Sequence, residues 1–394
     1  MSKARVLFVD DESRILDGLR RSLRSRRGDW DMTFVTSGAE ALERLAESPY
    51  DVIVSDMRMP GMDGAELLTH VSKCHPEVAR VVLSGHTEPE AAIKVAVAGH
   101  RFLTKPSEPE SVGAVIDQLI VTTSATHPAE VRRIAGRVRS LPTPPVHLDR
   151  ITDLLLGADV ERTAAIEAAA HDVGLTAKLL QLSNSAFFGA RARVASVDSV
   201  VNTLGLPTIQ ALVGAGQVLW SSAEWESAVE QHLAVTWRHA AATAHLVEAL
   251  ASPAHRPYAR AAALLQDVGR FVSVAGDCGG GAATDPTATR NGGIPYRSLG
   301  VELLHLWGLP MPIITAVAER DLPYRSTPTG LGVSGAVRAA HLLIQGTGSR
   351  DPSDGTHEEE LAALLSHPQL SFHTTDWRNA ADAASLHAER WPIP

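Results

Sequence analysis

Three apolar runs in the first third of the chain each end in charge, and their order admits few folds. Val6-Leu7-Phe8-Val9 runs into Asp10-Asp11, Val52-Ile53-Val54-Ser55 into Asp56, and Phe102-Leu103-Thr104 into Lys105. Each run has strand length and the stretches between them carry helical periodicity, a pattern of βαβ units around a parallel sheet. Strands are expected near 5–9, 32–35, 51–54, 80–84 and 101–103, with helices near 13–26, 38–46, 64–73, 88–98 and 109–120. In an open parallel sheet the carboxyl ends of the strands converge on the edge where ligands bind. Three carboxylates and one ammonium should therefore meet there. Carboxylate oxygens suit a hard cation such as Mg²⁺, which would offset repulsion among the acids and leave the lysine free to pair with a phosphoryl group.

Further segments join this set: Val9-Asp10-Asp11-Glu12, Ser55-Asp56-Met57-Arg58-Met59-Pro60-Gly61-Met62-Asp63-Gly64, Leu83-Ser84-Gly85-His86 and Phe102-Leu103-Thr104-Lys105-Pro106. On these residues the stretch from 4 to about 121 resembles a response-regulator receiver domain of bacterial two-component signalling, whose fold is a flavodoxin-like, doubly wound, five-stranded parallel sheet. The resemblance implies that Asp56 accepts a phosphoryl group from a phosphohistidine. It implies Mg²⁺ held by Asp11 and Asp56, by Asp10 through water, and by the backbone carbonyl of Arg58. Ser84 takes the place of the hydroxyl that follows the phosphoryl group, Phe102 that of the aromatic that turns inward with it, and Lys105 that of the neutralising ammonium. Arg58 and His86 fall beside the phosphoryl site, where side chains affect access of water; each reads equally well as an exposed polar residue.

Hydrophobic residues make up 44% of the 394 and charged residues 21%, which supports substantial cores over two or three domains. A net charge of -9 gives no broad attraction to nucleic acid or anionic lipid. Cys74 and Cys278 are too few for a disulfide framework and have no zinc-ligand spacing. No apolar run reaches membrane-spanning length, and the cytoplasm is the expected compartment.

Beyond residue 122 the β alternation stops. Val121 to Pro128 is small, polar and ended by proline, so the expected division is a receiver at 1–122, a linker at 123–130, an all-helical domain at 131–330 and a helical extension at 331–394. Helices are expected near 149–156, 161–170, 175–184, 196–204, 207–220, 228–250, 258–274, 333–345 and 358–366. Leu141-Pro142-Thr143-Pro144-Pro145, Asn184-Ser185-Ala186-Phe187-Phe188-Gly189, Leu204-Gly205-Leu206, Trp237-Arg238-His239, Gln266-Asp267 and Leu306-Trp307-Gly308-Leu309-Pro310 occur in that order. On these residues the region from about 131 to 325 resembles the HDOD domain, a helical output module related to HD phosphohydrolases. HD chemistry needs imidazoles and carboxylates that hold metal and generate hydroxide. Here His239 and Asp267 occupy such positions, but Gln266 stands where a histidine is expected, and Glu319-Arg320 where relatives often pair histidines. The expectation is a helical domain without a catalytic metal, His239 being a packed histidine and Asp267 a helix-end acceptor.

Gly276 to Ala283 lacks the Gly-Lys-Ser/Thr of a phosphate loop, so 276–295 is expected as a surface loop. Arg132, Arg133, Arg137 and Arg139 are expected on a solvated helix face. The sequence thus points to a response regulator that accepts phosphate on Asp56 and signals through a non-catalytic helical domain. Its expected partners are a sensor histidine kinase or phosphotransfer protein, a downstream signalling protein and a second copy of the chain, with neither membrane nor nucleic acid among them. The alternatives are an HD-type phosphohydrolase or cyclic-dinucleotide phosphodiesterase with an atypical metal site, and a nucleotide-binding sensor without turnover.

Overall fold

A computed structural model of the chain describes residues 3–85, 99–105, 109–125, 128–157, 160–185, 193–216, 218–222, 225, 227–276, 290–291, 294–322, 331–348, 361 and 374–390. The N-terminal part is a sheet of β1 (Ala4–Val9), β2 (Trp30–Val35), β3 (Val52–Asp56), β4 (Ala79–Ser84) and β5 (Arg101–Thr104). All four pairings are parallel and the order is β2-β1-β3-β4-β5. Strand order reverses at β1, so a crevice opens beyond the carboxyl ends of β1 and β3, where Asp10 and Asp56 lie. β3 and β4 are buried at every position, as strands covered on both faces must be.

The helices here are α1 (Ser13–Ser22), α2 (Gly38–Glu47), α3 (Gly64–Cys74) and α4 (Pro109–Ala125). α1 stops short of the expected residue 26 and continues as a 3₁₀ turn over Leu23–Gly28. Arg20, Arg21, Arg24 and Arg27 would stack like charges three and four apart in a longer helix, and Gly28 ends it. α3 starts at a capping box in which Asp63 accepts from the Glu66 amide at 2.8 Å. That cap fixes the loop after Asp56. The expected helix at 88–98, with His86 and Pro106, lies outside the described residues.

α4 runs to Ala125, past the expected edge at 122, and α5 (Ala129–Arg137) starts within the expected linker. There follow α6 (Pro145–Leu156), α7 (Arg162–His171), α8 (Val173–Ser183), α9 (Val197–Leu204), α10 (Leu206–Gly214), α11 (Ser227–Leu250), α12 (Arg256–Leu264) and α13 (Val268–Gly276). The chain then forms α14 (Tyr296–Trp307), α15 (Met311–Glu319), α16 (Gly332–Gly348) and α17 (Thr374–Arg390). α8 is buried along its whole length, and α11 packs on α12, α16 and α17. Trp237 of α11 is fully buried under the stacked His147 ring, 3.9 Å away.

Three differences from the sequence expectations have local causes. The helix expected over 258–274 breaks at Leu265–Asp267 into α12 and α13, which places Gln266 and Asp267 at a junction. The helix expected to reach 220 ends at Gly214, followed by Gly216 in the left-handed region at φ 65°. Within the expected loop at 276–295, β6 (Arg290–Asn291) and β7 (Ile294–Pro295) pair antiparallel. The helix expected at 358–366 lies outside the described residues except at 361. Among the described residues, no helix is long and apolar enough to cross a membrane.

Candidate functional site

The crevice collects the charged residues that end the strands. Asp10, buried at the end of β1, and Asp56, nearly buried at the end of β3, both contact the ammonium of Lys105 just past β5. Lys105 Nζ lies 2.6 Å from Asp10 Oδ2 and 2.7 Å from Asp56 Oδ1. Asp11 is exposed, and its carboxylate lies within 4.8 Å of those of Asp10 and Asp56. Three hard oxygen donors around one point fit a small divalent cation such as Mg²⁺, with room for water in its coordination. Burial pushes the Asp56 carboxyl up from its ordinary value, Lys105 opposes this, and Asp10 adds to it. Burial works against the Lys105 ammonium, but hydrogen bonds to Asp10 and Asp56 outweigh it and raise its pKa.

The loop after Asp56 has no room for other backbones. A Cβ on Gly64 would lie 2.0 Å from the Asp56 carbonyl oxygen, and Gly61 takes φ 79°. The Gly64 amide donates to Met57 O and the Met57 amide to Leu83 O, which ties the loop to β4. Ser84 is buried at the end of β4, and its carbonyl accepts from the Lys105 amide at 2.8 Å. Phe102, on β5, is already buried in this structure, and Arg58 is exposed.

A second polar cluster lies inside the helical part. His239 of α11 and His341 of α16 meet through Nε2 and Nδ1 at 3.0 Å, with rings edge to face. Asp267 faces Arg320 rather than backbone donors at a helix end: Arg320 Nη1 donates to Asp267 Oδ1 at 2.5 Å. The same guanidinium grips Asp321 through Nε at 2.7 Å and Nη2 at 3.1 Å. Burial, then Arg320, lowers the His341 pKa to about 3, and burial also lowers that of His239. Both rings are neutral near pH 7, so one donates to the other. Burial alone would raise the Asp267 carboxyl, but Arg320 holds it well below the usual carboxylate range. Gln266 is buried with neither side-chain amide atom bonded among the described residues, and with Asp267, Arg270, Tyr296 and Arg320 it lines a cleft of about 270 Å³. His341 and the central place of Arg320 were not legible in the sequence; the one signal was a histidine in the apolar run Ala339-Ala340-His341-Leu342-Leu343.

Residues 6–117 match the response regulator receiver domain family, and residues 141–277 match the HDOD domain family. The chain joins a receiver domain to an HDOD domain. The receiver is 38% identical over 120 residues to the hydrogenase transcriptional regulatory protein HoxA of Cupriavidus necator, covering 30% of this chain and 24% of that one. It is 35% identical over 121 residues to the DNA-binding transcriptional regulator NtrC of Escherichia coli K12, covering 30% of this chain and 25% of that one. The chain spans about a quarter of the length of these curated relatives. Among solved structures, the signal receiver domain of an HD domain-containing protein from Pseudomonas fluorescens Pf-5 is 25% identical, covers 31% of this chain and 90% of that one, and has a TM-score of 0.30.

The receiver rests on the HDOD domain through the start of β5 and its neighbour β4. Arg101 donates from Nε to Leu306 O at 2.9 Å and from Nη2 to His305 O at 2.7 Å, at the carboxyl end of α14. A guanidinium there meets the negative end of the helix dipole and adds a charged donor to carbonyls of the last turn. A Cβ at Gly308, the left-handed cap of α14, would lie 1.8 Å from Arg101 Nη1. Arg80 donates to Gly136 O of α5 at 2.8 Å, and Gln181 of α8 donates to His100 O at 3.0 Å. Lys178 of α8 donates to Arg139 O at 2.5 Å and lies over the Trp307 ring. Arg139 also lies near enough to Arg80 of the receiver for the two charges to repel, so it flanks the domain interface, although the segment from 132 to 139 reads in sequence as a solvated face. Burial pushes Arg80 and Arg101 down to about 9, still cationic at neutral pH, and Lys178 down to about 7.

Proposed function

We propose that this protein is a response regulator that takes a phosphoryl group on Asp56 and signals through contacts of a non-catalytic HDOD domain. One observation carries the first half: Lys105 bridges Asp10 and Asp56 at 2.6 and 2.7 Å while Asp11 completes the acidic set. An attacking carboxylate and a counter-cation for the phosphoryl oxygens are then in place before the donor arrives, and positioning with charge neutralisation is most of what phosphoryl transfer needs. A phosphohistidine of a sensor kinase or phosphotransfer protein loses its P–N bond as the Asp56 oxygen forms a P–O bond. Asp10, Asp11, Asp56 and the Arg58 carbonyl would hold Mg²⁺, which supplies further neutralisation of the phosphoryl oxygens when bound. Ser84 and Phe102 serve as the switch pair. Ser84 sits one strand from Asp56, and Phe102 follows the residue that grips the HDOD domain.

The degenerate HDOD centre supports the second half. Arg320 puts a guanidinium between Asp267 and Asp321, and a fixed organic cation there satisfies the acids without offering a Lewis acid or activating water. The downstream partner is then a signalling protein that reads the HDOD surface. The test is intact-mass analysis of the full chain with acetyl phosphate and Mg²⁺, with peptide mapping, alongside a turnover assay on cyclic dinucleotides. One phosphate on Asp56, lost in Asp56→Asn, and no turnover are expected. Phosphate retained in Asp56→Asn overturns the acceptor, and turnover lost in Asp267→Ala overturns the non-catalytic output.

A further inference from the structure

The cleft beside the degenerate HDOD centre has a lining out of balance in two respects. The first is charge: Arg270, Arg297 and Arg320 line it with Asp267 and Asp321, three guanidiniums against two carboxylates. Arg320 holds both acids, and Arg297, a third exposed, reaches Asp321 through Nη1 alone at 3.3 Å among the described residues. One positive charge is left over. The second is hydrogen bonding: Gln266 is 2% exposed, and neither of its side-chain amide atoms is bonded among the described residues. A buried amide without partners is costly, and a molecule that supplies them recovers the cost. We propose that this cleft binds a nucleoside monophosphate, with its base on Gln266 and its phosphate on Arg297, and does not cleave it. The last clause rests on the non-catalytic reading of the HDOD domain.

These two imbalances select the ligand. The Gln266 amide has a donor and an acceptor on one edge, so its partner must offer an acceptor and a donor side by side. A trans peptide turns its C=O and N–H to opposite sides, whereas a nucleobase carries such a pair on one edge, which is how amide side chains grip bases. The excess charge calls for an anion on the same molecule, and the fork of an arginine fits a phosphate. In the same lining Arg270 lies over the Tyr296 ring at 5.2 Å, and guanidinium and aromatic groups are the surfaces on which bases stack. Size sets the limit. The cleft, at about 270 Å³, falls just below the roughly 300–1,000 Å³ of sites for drug-sized ligands, which suits one base and one phosphate but not a dinucleotide. It is also preformed: a Cβ on Gly269 of α13 would lie 1.7 Å from the Tyr296 carbonyl oxygen, and one on Gly300 of α14 would lie 2.9 Å from the Gly269 nitrogen. Backbone contact between the two helices therefore sets the walls before a ligand arrives.

The test is calorimetric titration of AMP, GMP, CMP and UMP, linear and cyclic, into the full chain with Mg²⁺, inorganic phosphate serving as the control and chromatography of the nucleotide following each titration. One equivalent of at least one nucleotide is expected, bound at least tenfold tighter than phosphate and recovered intact. Arg297→Ala should weaken it at least tenfold. Gln266→Leu should weaken it as much with an equal or higher melting temperature, because the substitution removes the unpartnered amide, whereas a purely structural glutamine would take stability with it. No binding, affinity no better than that of phosphate, full affinity in either variant, or a destabilised Gln266→Leu overturns the site. Recovery of a cleaved product keeps the site and overturns the non-catalytic reading, while failure to bind leaves that reading standing.

Discussion

Replacing Arg101 with alanine removes the two hydrogen bonds that join β5 to the end of α14, and their geometry sets the size of the effect. Both bonds have a charged donor, at 2.9 and 2.7 Å, and such bonds contribute about 1.5–3 kcal/mol each. The two carbonyls regain water when the domains part, so the lower end applies to each. The pair then supports docking by about 3 kcal/mol, which is more than a hundredfold in the ratio of docked to parted domains. Amide hydrogen exchange on the full chain reads this ratio at Gly308 and Leu309, whose amides bond back to His305 and Leu304. Exchange there and at Arg101–Leu103 should quicken together in Arg101→Ala, while Arg101→Lys, with one compact ammonium in place of a fork, falls between. If phosphorylation favours the parted state, linkage requires the same substitution to strengthen beryllofluoride binding at Asp56. Protection unchanged within about threefold at both places would refute the idea that Arg101 holds the interface.

Arg320→Ala leaves Asp267 buried beside two neutral imidazoles and should cost about 3–5 kcal/mol in urea unfolding, more than removal of an exposed arginine. Gly64→Ala pushes a methyl against the Asp56 carbonyl and should slow phosphorylation as well as lower the melting temperature, whereas Gly18→Ala, with open space around it, should do neither. Acid should destabilise the protein through His341, His147 and His171, whose folded pKa values of about 3, 4 and 4 lie below the ordinary 6.5. Their unfolded forms take up protons first, so their stabilisation is complete above about pH 6.5 and declines as pH falls toward 4. Asp172, raised to about 6 by burial, works the other way, so melting temperatures from pH 7 to 4 should fall in the wild type and fall less in His147→Gln.

The receiver was legible because its chemistry sits at the ends of strands. Apolar runs with a fixed charge after each dictate both the sheet and the edge where Asp10, Asp56 and Lys105 meet, and no long-range packing is needed to place them. The HDOD centre was legible only in part, since His239 and His341 are 102 positions apart and become neighbours through the packing of α11 on α16. Arg320 looked like a mere departure from paired histidines, because an ion pair across 53 positions leaves no periodic trace. Arg101 is the extreme case. An arginine opening a short strand has no local sign that it will close the end of a helix some 200 residues later.

α14 has a place in two descriptions at once. Tyr296, Arg297 and Gly300 of its first turns form a wall of the cleft beside Gln266 and Asp267, and His305 and Leu306 at its other end are gripped by Arg101. Twelve residues of helix span about 18 Å, and a rod of that length does not bend to absorb a small shift at one end. A molecule that wedges the cleft open therefore pulls on the receiver, and a receiver that lets go frees the cleft wall to move. The lever between the two halves of this protein is a single short helix with one hand on each.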